Sequence, residues 1–320
     1  MPLWLTARKT LARTTSRTGL VHICNARAIT GSNTAIDRYG CRVTVEFDHG
    51  IPYDGAHDFD RRGHIYLWKI FRVVQGVSHR HQFVKGDISG VGELFINSHL
   101  SNFIGSQQGN IRQNFYRAVK METPTRLQIW LSHLGTSTIG HRLEVTEKTS
   151  GDVLATLDEQ AVVVNKKTRK TAPLPPTYRE KYESFVVGPR PTVMTKHKRP
   201  GDTFKYEGLV LHSDIDFNNH ATYALYWRLC SDCASSAVLN GFFKHLTDDF
   251  CLYQVESLGC LYLSESQPGD RLLVEGWEHE EDAGVINFVI SRIQDGVDVF
   301  HSTVKFYKGQ DFTKYLPGSC

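Results

Sequence analysis

The segment Ser213-Asp214-Ile215-Asp216-Phe217-Asn218-Asn219-His220 decides the predicted fold, because a similar segment occurs in the first half of the chain. There the sequence reads Asp58-Phe59-Asp60-Arg61-Arg62-Gly63-His64, so both copies have the form Asp-x-Asp-x-x-(Gly/Asn)-His. Each copy is followed by a long segment with helical spacing of apolar residues, at 65–77 and at 221–243. A motif and a helix that recur together predict two structural repeats in one chain.

The segments after each predicted helix have the character of β-strands separated by turns. They lie at 127–131, 141–147 and 153–164 in the first half, and at 260–263, 271–277, 285–293 and 297–307 in the second. One long helix followed by an antiparallel meander predicts the α+β class. We expect two tandem domains, in each of which an antiparallel sheet wraps around a long central helix.

A basic and proline-rich stretch separates the two repeats. It contains Lys-Lys-Thr-Arg-Lys at 166–170 and then Pro173, Pro175, Pro176, Pro189, Pro191 and Pro200. Prolines at this density exclude a continuous helix or a central strand. The sequence therefore predicts an N-terminal domain at 39–165, a linker at 166–203 with a short helix near 178–184, a C-terminal domain at 204–312 and a tail at 313–320.

The first 38 residues have the composition of a mitochondrial transit peptide. No acidic residue occurs between Met1 and Ile36, and five basic residues lie among many threonines and serines: Arg8, Lys9, Arg13, Arg17 and Arg27. Cationic, amphipathic segments without carboxylates are typical of such peptides. We expect a location in the mitochondrial matrix. The alternatives are a disordered basic tail on a cytoplasmic protein and, less favoured, a chloroplast address.

The overall composition favours a soluble globular protein of two domains. The chain has 320 residues, 40% hydrophobic and 22% charged, with a net charge of only +3. Because the positive excess lies mainly in the N-terminal segment and the linker, the composition argues against nucleic-acid binding. Seven irregularly spaced cysteines favour reduced thiols over a disulfide scaffold. No apolar run reaches 18 residues, so we expect no transmembrane segment.

Three short motifs resemble the acyl-ACP thioesterases of plants and bacteria, a tandem hot-dog group within the 4-hydroxybenzoyl-CoA thioesterase-like superfamily. The segment 213–220 is similar to that family's Ser-Asp-Leu-Asp-Met-Asn-Gln-His. Tyr226-Trp227 falls where the family has Tyr followed by Gly-Trp, and Tyr262-Leu263-Ser264-Glu265-Ser266 is similar to its Tyr-x-x-Glu-Cys. The resemblance implies two tandem hot-dog domains and hydrolysis of fatty acyl thioesters.

The resemblance also implies the catalytic side chains, since the family's Asp, Asn, His and Glu fall on Asp216, Asn218, His220 and Glu265. These residue types suit the attack of water on a thioester carbonyl. Asp216 can act as the base, or as a nucleophile, while Asn218 can hold the carboxylate or the water. We expect His220 to open the helix, where unpaired backbone N–H groups can bind an oxyanion, and Glu265 to orient the water or the histidine.

Two positions depart from the family's pattern. The cysteine beside the glutamate is Ser266 here, and the Val-Asn-Asn after the histidine is Ala221-Thr222-Tyr223. We take Ser266, Thr222 and Tyr226 as supporting residues. The departures bear on substrate class and rate, because they lie beside the catalytic positions.

The first copy of the motif gives a second, degenerate candidate site at Asp60, His64 and His133. Within Leu131-Ser132-His133, His133 stands where Glu265 stands in Leu263-Ser264-Glu265. The alternative is that the first half completes the sheet and shapes the acyl tunnel. Acidic residues before a helix are also ordinary N-caps, which need no catalysis.

The expected partner is an acyl-ACP or acyl-CoA substrate, with no metal and no cofactor. We expect a monomer with an internal pseudo-dimer, or a homodimer. Two alternatives to hydrolysis stay open: a hot-dog hydratase or dehydratase acting on acyl thioesters, and a non-catalytic acyl-binding protein.

Overall fold

The structure is a computed structural model that describes residues 32–36, 42–48, 58–60, 63–82, 99–119, 123–216, 219–248 and 253–308. All of these residues belong to one compact unit, Gly31–Cys320. The expected transit peptide, apart from 32–36, lies outside the described residues, as do the tail and the candidate catalytic residue Asn218.

The described chain contains eleven strands and four α-helices. The strands are β1 (Ser32–Ile36), β2 (Arg42–Phe47), β3 (Leu100–Ile111), β4 (Thr125–Leu134), β5 (Thr138–Glu147), β6 (Val153–Asn165), β7 (Phe204–Leu209), β8 (Val255–Tyr262), β9 (Arg271–Glu278), β10 (Val285–Arg292) and β11 (Asp298–Phe306). The helices are α1 (Leu67–Gln82), α2 (Phe115–Ala118), α3 (Pro176–Tyr182) and α4 (Tyr223–Leu239). The expected α+β class agrees with this content.

All eleven strands form one antiparallel sheet with the order β1-β2-β4-β5-β6-β3-β8-β11-β10-β9-β7. From the central β3–β8 pair outward, the order is β3-β6-β5-β4-β2 on one side and β8-β11-β10-β9-β7 on the other. Each half of the chain therefore repeats the same connectivity, with β1 added at one edge. The sheet is continuous across the two halves.

Helix α4 lies close to the sheet and also contacts α1. Gly208 in β7 allows the close approach, because a Cβ atom there would lie 2.7 Å from the Leu229 side chain. Trp227 of α4 stacks on Phe71 of α1, with ring centroids 4.9 Å apart. The two helices that follow the repeated motif are thus packed against each other by large apolar side chains.

The stretch predicted as a linker lies between β6, which ends at Asn165, and β7, which begins at Phe204. The predicted short helix is α3, which begins at Pro176 because a proline in the first helical turn forfeits no helical hydrogen bond. Tyr178 and Tyr182 are buried and anchor α3 in an apolar cluster with Leu100, Leu131, Leu134, Ile139, Val163 and Leu174.

A buried polar network lies beside the central strand pair. The Gln107 amide of β3 donates to the Glu159 carboxyl of β6 at 2.9 Å, and the Tyr262 hydroxyl of β8 donates to the Gln107 carbonyl at 2.8 Å. Glu159 is buried, and this desolvation raises its pKa to about 7 although the Gln107 hydrogen bond opposes the shift. The seam between the halves therefore contains a carboxyl group that titrates near neutral pH.

We predict that Glu159→Gln makes the protein relatively more stable at alkaline pH. In the wild type, the pKa of Glu159 is 4.5 in the unfolded chain and about 7 in the folded protein, so the folded protein keeps this proton to a higher pH. The contribution of the protonated carboxyl to the free energy of unfolding should be fully present below pH 4.5 and lost as the pH rises through 7. Between these two pH values the loss should be on the order of 1 kcal/mol per pH unit. Urea titrations of both proteins at several pH values measure this slope, and equal slopes in the two proteins would contradict the prediction.

Candidate active site

A cavity of about 610 Å³ contains most of the predicted catalytic residues. It lies where the segment before α4 and the segment after β8 meet β3 and β6 of the first half. Asp216, His220, Tyr226 and Glu265 all line it. The structure thus brings together residues that are up to 49 positions apart in sequence, as 216 and 265 show.

Asp216 is held in a tight turn before α4. Its backbone N–H donates to the His220 carbonyl at 3.0 Å, and its own carbonyl accepts the Asn219 N–H at 3.0 Å. Asn219 adopts a φ of 63°, a left-handed conformation that asparagine tolerates better than most residues. The Gln75 amide of α1 donates to one carboxylate oxygen at 3.3 Å, and His220 Nδ1 lies 4.0 Å from the other. The carboxylate is therefore oriented from both halves of the chain.

His220 lies before α4, not at its first residue as the sequence analysis expected. The helix begins at Tyr223, with Thr222 at the N-cap position, because Thr222 is extended and its N–H donates to the Asp214 carbonyl at 2.8 Å. The His220 ring packs on Phe103 of β3 with centroids 5.3 Å apart. Its Nε2 is buried and has no hydrogen-bond partner among the described residues. The imidazole is thus positioned by the Phe103 ring and by a hydrogen bond between its Nδ1 and the Ala221 carbonyl at 3.3 Å, with Nε2 left for a ligand.

Glu265 lies at the mouth of the cavity in an ion pair with Arg169. Arg169 belongs to the turn after β6, and its guanidinium also lies 4.5 Å from the centroid of the Phe103 ring. The Glu265 backbone is fixed separately, since the Arg292 guanidinium donates to its carbonyl and to the Ser264 hydroxyl. The Glu265 carboxylate is thus paired with Arg169, and its expected role of orienting the water or the histidine stays a prediction.

The supporting residues have different places. Ser266 is fully buried, and its hydroxyl accepts a hydrogen bond from the Tyr226 hydroxyl at 3.0 Å. Burial raises the pKa of Tyr226 to about 12, so this phenol stays neutral at physiological pH. Thr222 makes no side-chain cap to α4. Ser266 therefore anchors a wall residue of the cavity, and Thr222 acts through its backbone.

Of the cavity residues that were not predicted from the sequence, three contact the candidate catalytic side chains or their neighbours: Gln75, Phe103 and Arg169. Gln75 and Phe103 come from the first half of the chain, and Arg169 comes from the turn that opens the predicted linker. Gln75 gave a weak signal, because it is a polar residue beside the apolar face of a predicted helix and is buried in the structure. Arg169 gave none, since its partner Glu265 is 96 residues away.

A second cavity of about 510 Å³ contains the first copy of the motif. Asp60 and His64 line it, with His64 Nδ1 3.5 Å from an Asp60 carboxylate oxygen. His133 is not among the described residues that line it, and it lies in β4, which corresponds to β9 in the order of the sheet. Glu265 follows β8, whose counterpart is β3. The proposed equivalence of His133 and Glu265 is therefore wrong.

The described residues hold no group of three or more His, Cys, Asp or Glu side chains that could bind a metal ion. Cys230 and Cys233 are buried thiols of α4, and burial raises the pKa of Cys233 to about 12. Within the same ranges, no helix combines the length and the apolar character needed to cross a membrane.

The chain is similar to an acyl-ACP thioesterase from Bacteroides thetaiotaomicron, with 14% identity, a TM-score of 0.61 and coverage of 83% of this chain and 98% of that one. It is also similar to a protein from Lactobacillus plantarum provisionally named an oleoyl thioesterase, with 14% identity, a TM-score of 0.66 and coverage of 88% of this chain and 99% of that one. A third similar structure is the 12:0-ACP thioesterase from Umbellularia californica, with 11% identity, a TM-score of 0.65 and coverage of 83% of this chain and 97% of that one. No protein-family model and no curated protein sequence matches the chain.

The chain has the hot-dog thioesterase fold. The resemblance inferred from the Asp216 motif is thus confirmed by three structures, each of which is covered almost completely. At identities of 11–14%, this likeness establishes the fold and not the reaction.

We predict that Tyr226→Phe lowers the free energy of unfolding by about 1–3 kcal/mol, because it leaves the buried Ser266 hydroxyl without its donor. Ser266→Ala and the double variant complete a double-mutant cycle, measured by urea denaturation. The double variant should lose less than the sum of the single variants. A Tyr226→Phe protein within about 0.5 kcal/mol of wild type would contradict the assignment of this hydrogen bond.

Proposed function

We propose that this protein hydrolyses fatty acyl thioesters to free fatty acid and thiol, with its active site in the 610 Å³ cavity. The observation that carries the proposal is the position of Asp216, whose carboxylate is oriented by Gln75 within a cavity that also holds His220. The three similar structures are named as thioesterases of acyl-ACP, oleoyl and 12:0-ACP substrates, which supports the same class of reaction here.

In the proposed reaction, Asp216 takes a proton from a water molecule as that water attacks the thioester carbonyl carbon. Asn218 holds the water or the carboxylate. The first turn of α4 offers backbone N–H groups that have no helical acceptor, and these suit the developing oxyanion. Collapse of the tetrahedral intermediate breaks the C–S bond, and the leaving thiolate recovers a proton through Asp216 or His220.

The residues around Asp216 suit an acyl chain. Phe103, Tyr223, Tyr226 and Tyr262 line the same cavity and give it an aromatic wall. Burial raises the pKa of all three tyrosines, so the wall carries no negative charge that would repel the thioester or the departing thiolate. Glu265 contributes by fixing the mouth of the cavity through its ion pair with Arg169.

We further propose that residues 39–165 and 204–312 form two hot-dog units, each with its long helix as the central element. The chain would act as a monomer with an internal pseudo-dimer, or as a homodimer of such chains. The acid-free composition of residues 1–36 supports delivery to the mitochondrial matrix. Fusion of residues 1–38 to a fluorescent protein tests this address, and a diffuse cytoplasmic signal would contradict it.

We predict that Asp216→Asn lowers kcat for thioester hydrolysis by about a hundredfold or more, because an amide cannot accept the water's proton. Thiol release from acyl-CoA and acyl-ACP substrates of several chain lengths measures the effect. The same panel ranks the preferred chain length and carrier.

The repeat offers a matched control for this variant. Asp60→Asn makes the same chemical change at the equivalent position of the first half and should leave kcat within about threefold of wild type. Full activity in Asp216→Asn would overturn the proposed mechanism. Tight binding of intact acyl thioester by the wild type, with no release of thiol, would instead identify an acyl-binding protein.

A further inference from the structure

The turn after β6 carries a cluster of positive charge, and one of its residues, Arg169, lines the cavity. Four of its five residues are basic and exposed: Lys166, Lys167, Arg169 and Lys170. We call residues 166–170 the basic turn. Its sequence, Lys-Lys-Thr-Arg-Lys, contains no acidic residue, and the sequence analysis assigned it only to the linker.

The basic turn is a preformed structure. The Asn165 side-chain oxygen accepts the N–H groups of Lys167 and Thr168, each at 3.0 Å, and the Asn165 carbonyl accepts the Arg169 N–H at 2.8 Å. Arg169 has a φ of 58°, which completes the tight reversal before Lys170. Because the backbone is already ordered, a ligand would meet these cations at little cost in conformational entropy.

Arg169 joins the basic turn to the active site. Its guanidinium pairs with Glu265 and lies over Phe103, which in turn packs on His220. Arg169 is therefore the member of the turn that faces the cavity. Lys167 and Lys170 are in no ion pair with any described residue, so their charges are not neutralised by the surrounding part of the fold that the structure describes.

We propose that the basic turn binds the phosphate of the phosphopantetheine arm that carries the acyl group. This inference rests on the proposed hydrolysis of acyl thioesters. Coenzyme A and the prosthetic group of a carrier protein share this arm, with the thioester sulfur at one end and a phosphate at the other. When the thioester lies beside Asp216, the phosphate must stay outside the cavity, where Lys and Arg side chains are suitable partners for it.

The test is the charge-reversal variant Lys167→Glu/Lys170→Glu. Its hydrolysis of three substrates is measured: acyl-CoA, acyl-ACP and acyl pantetheine, the last of which lacks the phosphate. We expect kcat/KM to fall about tenfold or more on a phosphate-bearing substrate, mainly through KM, and to become less sensitive to salt. Activity on acyl pantetheine should stay unchanged. A loss on both phosphate-bearing substrates would support the proposal. A loss on only one of them would show that the lysines contact the CoA nucleotide or the carrier protein's surface instead of the shared phosphate, and would overturn it.

A matched control reverses two other exposed lysines, as Lys196→Glu/Lys198→Glu. These flank His197, whose N–H donates to His301 of β11 at 2.9 Å, and so lie on a different part of the linker. This variant should keep wild-type kcat/KM on all three substrates. Equal losses in both variants would show that bulk charge acts instead of the basic turn, and would overturn the proposal.

Two further outcomes would also overturn it: no change on any substrate in Lys167→Glu/Lys170→Glu, or an equal loss on acyl pantetheine. Failure of the hydrolase assignment is recognised separately, because the wild type would then release thiol from none of the three substrates. In that event, the phosphate site is tested by calorimetric titration of the wild type and of the Lys167→Glu/Lys170→Glu variant with CoA and with pantetheine. Weaker binding of CoA alone by the variant would support the phosphate site, and equal binding would overturn it.

Discussion

The antiparallel pairing of β3 with β8 holds the two halves of the molecule in a fixed register. It joins the two halves through five register pairs, from Ser106 opposite Leu261 to Asn110 opposite Ser257, and makes one sheet out of two repeated sets of strands. The same pairing places β3 and β6 beside the segment that precedes α4. Phe103 reaches His220 and Arg169 reaches Glu265 only because the halves are held in this register.

The candidate site is therefore divided between the halves. The second half supplies the motif residues, and the first half and the turn after β6 orient them through Gln75, Phe103 and Arg169. The motif supplies few side chains of its own, and the neighbouring side chains just named complete the candidate site. The division between the halves also explains why the first copy of the motif is not a simple duplicate. Asp60 and His64 line a cavity of their own, but the residue taken as the counterpart of Glu265 lies on a different strand.

Both long helices and seven of the strands, β4 to β6 and β8 to β11, could be predicted from the sequence, whereas β1, β2, β3 and β7 could not. In β3 the apolar pattern is interrupted, because Ser101, Asn102, Ser106 and Gln107 are buried among its apolar residues. The partners of such a buried polar side chain can lie on other strands, as those of Gln107 do on β6 and β8, and the sequence pattern does not reveal them. The match of Leu131-Ser132-His133 with Leu263-Ser264-Glu265 rested on sequence similarity alone, and it paired the end of β4 with the end of β8, whose counterpart is β3. The motif itself located Asp216 and His220 in one cavity, since local spacing fixed their turn.

The position of the thioester can be seen directly in a crystal structure with a non-hydrolysable S-(2-oxoalkyl) analogue of an acyl-CoA, in which a methylene separates the sulfur from the carbonyl. We expect the carbonyl of this analogue in the cavity between α4 and β3, with one bridging water about 3 Å from the Asp216 carboxylate. Its alkyl chain should lie along the wall formed by Phe103 and Tyr262. An analogue bound with its carbonyl beside Asp60 and His64, and with the Asp216 cavity empty, would contradict the proposed site.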